Sequence, residues 1–349
     1  MLTAETRRVS ASVNPSPPRK PLEWKLIVEA VEPFLQSVAG RLAAQTEGFD
    51  PQIAAHARYA LTAQGKQLRP LLVSLSGEAG GELNDAHVTV AVIIEMVHLA
   101  TLVHDDVLDG GEMRRGRPSL AINCGNTVSV LLGDCLFAHA LKLAASFPTP
   151  EICRAVSAAA NVVCAGEILQ TQSRGDFEVT RGQYFKIVGM KTAELFGLSC
   201  DLGACLSGTT PARREALRQY GMALGTAYQL YDDCLDVLGS EAAAGKTLGA
   251  DLANGKMTLP ILIVRERADE ADLGRLRQWV RKWDASRLEE VIAMIVKYDA
   301  FQESRVVIHR YLTQAQEALA VAPDGEGTAG LLGLTRFLAE QTEALGVIF

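Results

Sequence analysis

From residue 23 onward, apolar residues recur at spacings of three and four. That is the period of an amphipathic helix, and strand-like alternation is scarce. Ala, Leu, Glu, Gln and Arg, all good helix formers, are abundant. The pattern predicts helices over 23–45, 50–63, 68–79, 84–108, 119–123, 127–147, 149–172, 181–206, 211–238, 258–266, 270–282, 286–297, 299–320 and 328–344. Pro51, Pro70 and Pro211 fall near proposed starts, where a missing N–H costs little. Gly80-Gly81, Gly110-Gly111 and Gly208 mark ends or turns. The glycine-rich stretch 239–256 reads as a loop, and residues 1–21, rich in Ser, Pro and Arg, as a disordered tail. A transit peptide is the competing reading of that tail, and no apolar signal-peptide segment is evident. Nothing in the composition divides residues 22–349, so the chain is expected to be one all-α domain.

The apolar segment 86–103 is interrupted by His87, Glu95 and His98, which suits a buried core helix better than a transmembrane span. It ends in Asp105-Asp106-Val-Leu-Asp109, and a second run ends in Asp232-Asp233-Cys-Leu-Asp236. Residues four apart share a helix face, so each Asp-Asp-x-x-Asp motif stacks its first and last carboxylates. Like charges so placed repel, and more strongly when desolvated. One such motif is most often a solvated helix face. Two, each grown out of an apolar helix, point instead to a cation held between them. Oxygen ligands with no His or Cys interleaved suit Mg²⁺, which completes its shell with water and substrate phosphate.

Hydrophobic residues at 48% and charged residues at 21% allow a large core. A net charge of −7 argues against a nucleic-acid partner. Seven cysteines without a Cys-x-x-Cys pair cannot all be paired internally, and a reducing cytoplasm is the simplest setting. Basic residues follow the acids: Lys66 and Arg69 near a helix start, Arg114-Arg115 after a Gly-Gly loop, Lys191-Thr192 mid-chain, and Lys246 and Lys256 in the glycine-rich loop. Alone, Arg114-Arg115 reads as surface charge, Lys191 as a snorkelling lysine, and His98, His104, Phe196 and Tyr228 as core or rim residues. Together they suggest two diphosphate sites facing each other.

Taken in order, GKQLRP, HLATLVHDDVLDGGEMRRGRP, LLGDCLFA, GEILQ, KTAELF, YQLYDDCLD and GKTLGADLANGKMTLP resemble the trans-type polyprenyl (isoprenyl) diphosphate synthases. The resemblance runs from about Gly65 to Pro260. It implies a helical bundle around a deep central cavity, a homodimer, several Mg²⁺ ions, and isopentenyl and allylic diphosphates as substrates. Product release would bring peripheral membrane contact. By resemblance, Asp105 and Asp109 ligate Mg²⁺ from one wall with Asp106 in support. Asp232 ligates from the other, with Asp233 and Asp236 in the outer shell or on water, Asp236 being counted in the metal set. Arg114 would bind the allylic diphosphate and Arg115 the isopentenyl diphosphate, whose site Lys66, Arg69 and His98 complete. Lys191, Thr192, Gln229 and Lys246 would surround the allylic diphosphate and the developing cation, with Lys256 close by. Gln64 and Gln67 depart from the family pattern, as does the ending EALGVIF, which lacks basic residues.

The implied chemistry is ionisation of the allylic C–O bond, attack by the isopentenyl double bond, and proton loss to the departing diphosphate. Thr101, Ala100 and Val97, upstream of Asp105, would line the product tunnel. None is aromatic, so a long product is expected, with a deeper block at Leu131 or Leu132 and a geranylgeranyl or farnesyl product as the alternative. A class I terpene cyclase would lack the second basic site and the second Asp-rich motif. A non-catalytic regulatory subunit tends to lose carboxylates, and all six are present. A structural helical protein leaves the acids at the ends of apolar helices unexplained.

Overall fold

A computed structural model describes residues 23–62, 65–239 and 248–345. Lys246, Gln64, the N-terminal tail and residues 346–349 of the EALGVIF ending lie outside the described residues. The order of helices is α1 (Trp24–Ala44), α2 (Pro51–Leu61), α3 (Leu68–Gly80), α4 (Asp85–Leu108), α5 (Leu120–Cys124), α6 (Asn126–Ala145), α7 (Glu151–Gln172), α8 (Arg181–Val188), α9 (Glu194–Leu206) and α10 (Pro211–Leu238). There follow α11 (Ala250–Ala253), α12 (Leu259–Arg267), α13 (Glu270–Arg281), α14 (Leu288–Lys297), α15 (Ala300–Ala318) and α16 (Glu326–Leu345). The all-α expectation holds, and the proline and glycine signals fall where they were read. Pro51 and Pro211 open α2 and α10, and Gly208, at φ 70°, follows the end of α9.

Three local features escaped the periodicity. Residues 113–118 form a two-stranded hairpin, β1 (Met113–Arg114) against β2 (Arg117–Pro118). Ala250–Ala253 makes one helical turn inside the glycine-rich stretch. The predicted helix 181–206 is divided by a π-helical turn at Gly189–Ala193. Such turns often mark functional sites, and this one carries Lys191 and Thr192.

Two long helices organise the interior. α4 runs through one apolar cluster, with Val90, Ile94, Val97 and Ala100 buried, and packs on α6 and α3. α10 runs through the other, with Tyr220, Leu224 and Leu230 buried against α15 and α16. α9 packs on α3, α4 and α10 and joins the two clusters. Its backbone approaches its neighbours closely because glycines stand at the crossings. A Cβ on Gly203 would lie 2.5 Å from the Val73 carbonyl oxygen, and one on Gly221 2.5 Å from that of Phe196. His87, buried in the capping box with Asn84 that starts α4, reaches the Gly203 carbonyl at 3.1 Å and fixes the same crossing.

α4, α6 and α7 are each long and apolar enough to cross a membrane by length and composition. In α4, 67% of the most apolar window is covered by the rest of the molecule, against 39% in α6 and 33% in α7. The α6 and α7 faces were not anticipated from the sequence, where only 86–103 drew attention.

Gly203→Ala should test the crossing. Overpacking costs about 1–3 kcal/mol, more than the roughly 1 kcal/mol or less that alanine gains in a helix. A net fall in stability on urea denaturation is expected, and equal or greater stability would show that α3 and α9 can part.

Candidate active site

A cavity of about 1240 Å³ opens among α4, α7, α10 and the segment around α11. The helical period of α4 selects which side chains enter it. His98, Thr101, Leu102, Asp105 and Asp109 lie within one face and line the space. Ala100 and Val97 do not. Both are about 0–1% exposed within the apolar cluster and absent from the lining. This corrects the expectation for two of the three tunnel positions: five residues back on a helix of 3.6 per turn is about 140° away from the Asp105 face, so Thr101 alone of the three faces the cavity.

The six motif aspartates divide by the same rule. Asp105 and Asp109 stand on the cavity wall from α4, and Asp232 from α10. Asp106 is turned to the hairpin, where it receives Arg114 Nε at 2.9 Å and Nη2 at 2.5 Å. Asp236 is fully buried and outside the lining; its Oδ2 accepts the Asp251 backbone N–H at 3.0 Å. The structure therefore gives Asp236 a different place from the metal set in which it was counted: it anchors the turn that follows α10. Asp233 is buried between Tyr184, which donates at 2.5 Å, and Gln229, which donates at 2.7 Å. Thr192 donates to the amide oxygen of the same Gln229 at 2.7 Å. Burial, with Asp251 near, pushes the Asp233 carboxyl up to about 8.

Cations lie against the wall carboxylates. Lys191 approaches Asp105 at 3.5 Å, donates to the Gln170 amide oxygen at 2.8 Å, and pairs with Glu167. Lys256 donates to Asp109 at 3.1 Å and lies 3.4 Å from Asp251. Burial pushes the Asp109 carboxyl up, but Lys256 and Arg174 outweigh it, and the net shift is downward. For Asp105 burial wins over Lys191, and the shift is upward. Arg174, Glu167, Gln170, Asp251, Tyr184 and Glu95 carried no sequence-based assignment. GEILQ and GADLANGK, two of the segments that carry the resemblance, hold three of them, Glu167, Gln170 and Asp251.

A second set of basic residues lines another part of the cavity. Lys66, Arg69, His98, Arg114, Arg115 and Tyr228 are all there, with the buried Glu95 among them. Arg69 lies over the Phe196 ring at 5.1 Å, and its Nε is buried without a hydrogen-bond partner among the described residues. A guanidinium left so is suited to an incoming anion. Burial, with Arg69 and Arg115 close, holds the His98 imidazole well below its ordinary range, so it is neutral at pH 7. Leu102, Phe137, Val163 and Ile168 add an apolar lining from α4, α6 and α7.

The donor set fits Mg²⁺. The wall groups are hard carboxylate oxygens, and no three His, Cys, Asp or Glu side chains converge on one point among the described residues. Asp105, Asp109 and Asp232 would hold such an ion together with water and phosphate, which is the habit of Mg²⁺.

Asp233 supplies a pH test. Its folded value of about 8 stands above the 3.8 of a free aspartate. Its contribution to stability is therefore complete below about pH 4 and lost as pH rises through about 8. Asp233→Asn should flatten that fall in melting temperature of the metal-free protein; an unchanged slope would assign the proton elsewhere.

The polyprenyl synthetase family profile matches residues 50–297. The octaprenyl diphosphate synthase of Escherichia coli (strain K12) is 34% identical over 284 residues, covering 81% of this chain and 88% of its own. A decaprenyl diphosphate synthase from Rhodobacter capsulatus superposes with a TM-score of 0.85 at 29% identity, over 91% of this chain and 99% of that one. A polyprenyl synthase from Caulobacter crescentus CB15, solved with calcium and isoprenyl diphosphate, superposes with a TM-score of 0.86 at 33% identity, over 92% of this chain and 99% of that one. The chain is a prenyltransferase and belongs to the polyprenyl synthetase family.

Proposed function

We propose that the chain condenses isopentenyl diphosphate head-to-tail with an allylic diphosphate, through repeated cycles, to a long trans-polyprenyl diphosphate. The observation that carries this reading is one cavity with two kinds of phosphate-binding equipment. Carboxylates from α4 and α10 line one part of it, and a pocket dominated by Lys66, Arg69, Arg114 and Arg115, with Glu95 among them, stands beside them. One diphosphate would be held through metal and the other by direct cations, so two substrates meet without exchanging places.

Asp105, Asp109 and Asp232 would hold Mg²⁺, which when bound neutralises the charge developing on the leaving diphosphate. Lys66, Arg69 and Arg115 bind the isopentenyl diphosphate, and neutral His98 adds a hydrogen bond without further charge. Arg114, already paired with Asp106, presents its remaining N–H groups to the allylic diphosphate. Lys191 and Lys256 move from carboxylate to phosphate partners as the substrate enters. Thr192 and Gln229 offer oxygen dipoles to the allylic carbocation, and protonated Asp233 holds Gln229 in place while adding no charge of its own. Leu102, Phe137, Val163 and Ile168 exclude water and accept the growing chain. The cavity exceeds the roughly 300–1,000 Å³ common for small-ligand sites, which supports a long product, as do the octaprenyl and decaprenyl relatives.

A second copy of the chain is part of this reading. Ile122 and Leu131 are each 58% exposed on α5 and α6, with Val128 and Val130 beside them. That apolar face suits a homodimer interface. The seven cysteines, all unpaired, support a reducing, cytoplasmic setting.

The test is incubation of purified chain with Mg²⁺, labelled isopentenyl diphosphate and farnesyl diphosphate, with products separated by length. Long products are expected, and chelation with EDTA should abolish them. A single extension would make it a geranylgeranyl synthase, and no incorporation with any allylic starter would make it a subunit that needs a partner. Thr101→Phe should shorten the products, because this side chain enters the cavity; unchanged length would place the tunnel elsewhere.

A further inference from the structure

The turn after α7 touches the α4 wall of the site and the segment that follows α10. Arg174 pairs through Nη2 with Asp109 Oδ1 and donates through Nη1 to the Leu108 carbonyl at 3.1 Å. It thus holds both the last carbonyl of α4 and the last carboxylate of the first acidic motif. The next residue, Gly175, donates its N–H to the Gly255 carbonyl at 2.8 Å. Gly255 directly precedes Lys256, whose ammonium returns to Asp109 Oδ2 at 3.1 Å. The approach is tight: Gly175 and Gly255 have φ of 72° and 66°, and a Cβ on Gly255 would lie 2.7 Å from the Gly175 nitrogen. Only glycine fits at 255 without displacing that backbone. Asp236, at the end of α10, secures the far side of the same segment through the Asp251 N–H, and the Lys256 N–H bonds the Asp251 carbonyl at 2.8 Å.

We propose that the Arg174–Gly175 turn is a strut between the α4 wall and the segment that carries Asp251 and Lys256, and that Arg174 is a positioning residue that orients Asp109 for the metal. Asp109 has two carboxylate oxygens with unequal partners. Oδ1 is gripped by a guanidinium that is itself anchored to the α4 backbone. Among the described residues Oδ2 meets the ammonium of Lys256, which an arriving diphosphate draws away. Arg174 therefore keeps one oxygen and leaves the other for Mg²⁺. Hydrogen-bonded supports of metal-ligating carboxylates commonly matter for affinity. The inference rests on the proposed metal role of Asp109.

The experiment is calorimetric titration of inorganic pyrophosphate into the full chain, with Mg²⁺ and with EDTA, for wild type, Arg174→Gln, Arg174→Lys, Asp109→Asn and the double variant Asp109→Asn/Arg174→Gln. Arg174→Gln should weaken the Mg²⁺-dependent binding by about 10–100-fold, with Arg174→Lys recovering part of it. On the Asp109→Asn background, Arg174→Gln should add almost nothing, because both act on one carboxylate. Thermal melts follow each variant, and a loss of melting temperature without loss of affinity would make Arg174 a helix cap only and overturn the proposal. Tighter binding in Arg174→Gln would overturn it too, by showing that the guanidinium competes with the metal. Wild type binding pyrophosphate equally with and without Mg²⁺ would instead overturn the metal reading itself, and the strut with it.

Discussion

Carboxylates at the C-terminal ends of α4 and α10 meet the negative ends of two helix dipoles inside a half-buried space, and every neighbouring element answers that repulsion. Two like charges one helical turn apart, about 6 Å, cost roughly 3 kcal/mol at an effective dielectric near 20, well above the few tenths of an exposed pair. The dipoles add to this. A fold that holds Asp105, Asp109 and Asp232 in one cavity must supply positive charge or protons before any substrate arrives. It supplies both. Lys191, Lys256 and Arg174 stand against the wall carboxylates, and Asp233 keeps its proton.

Placement of those cations depends on packing far from the charges. α9 must lie close enough to α3 and α10 to bring the π-helical turn, with Lys191 and Thr192, beneath Asp105 and Gln229. Gly203 and Gly221 permit that closeness, since a Cβ at either would strike backbone. The π-helical turn adds a residue to the helix and rotates Lys191 toward Glu167 and Gln170 on α7. Side-chain chemistry at the site and glycine placement in the core thus form one design problem, and a change in either is felt in the other.

Much of this was legible in the residues because it follows from helical period. Four-residue spacing placed Asp105 and Asp109 together on α4, and the apolar runs before each motif identified α4 and α10 as core helices. The same period, applied to Ala100, should have excluded it, since a five-residue step crosses the helix. What period could not reveal was pairing across elements. Asp236 looks equivalent to Asp109 in sequence, yet the first is consumed by the Asp251 backbone and the second faces the cavity. The difference comes from the chain that follows each helix: a hairpin after α4 leaves Asp109 open, while the turn after α10 folds back over Asp236. Arg174 was invisible for the same reason. A lone arginine at the end of a helix says nothing until the fold puts another helix end beside it.

The distribution of charge also explains how one cavity serves opposite needs in sequence. Departure of the diphosphate needs positive charge near its oxygens, whereas the carbocation left behind needs the reverse. Lys191 and Lys256 suit the first need because they already stand in the cavity, beside Asp105 and Asp109. The second need is met by groups with no net charge to move: Thr192, Gln229 and the protonated Asp233 form a fixed chain of dipoles, tied at its end by the buried Tyr184. Charged groups on the walls and hydrogen-bonded dipoles beside them thus divide the two electrostatic tasks within one cavity.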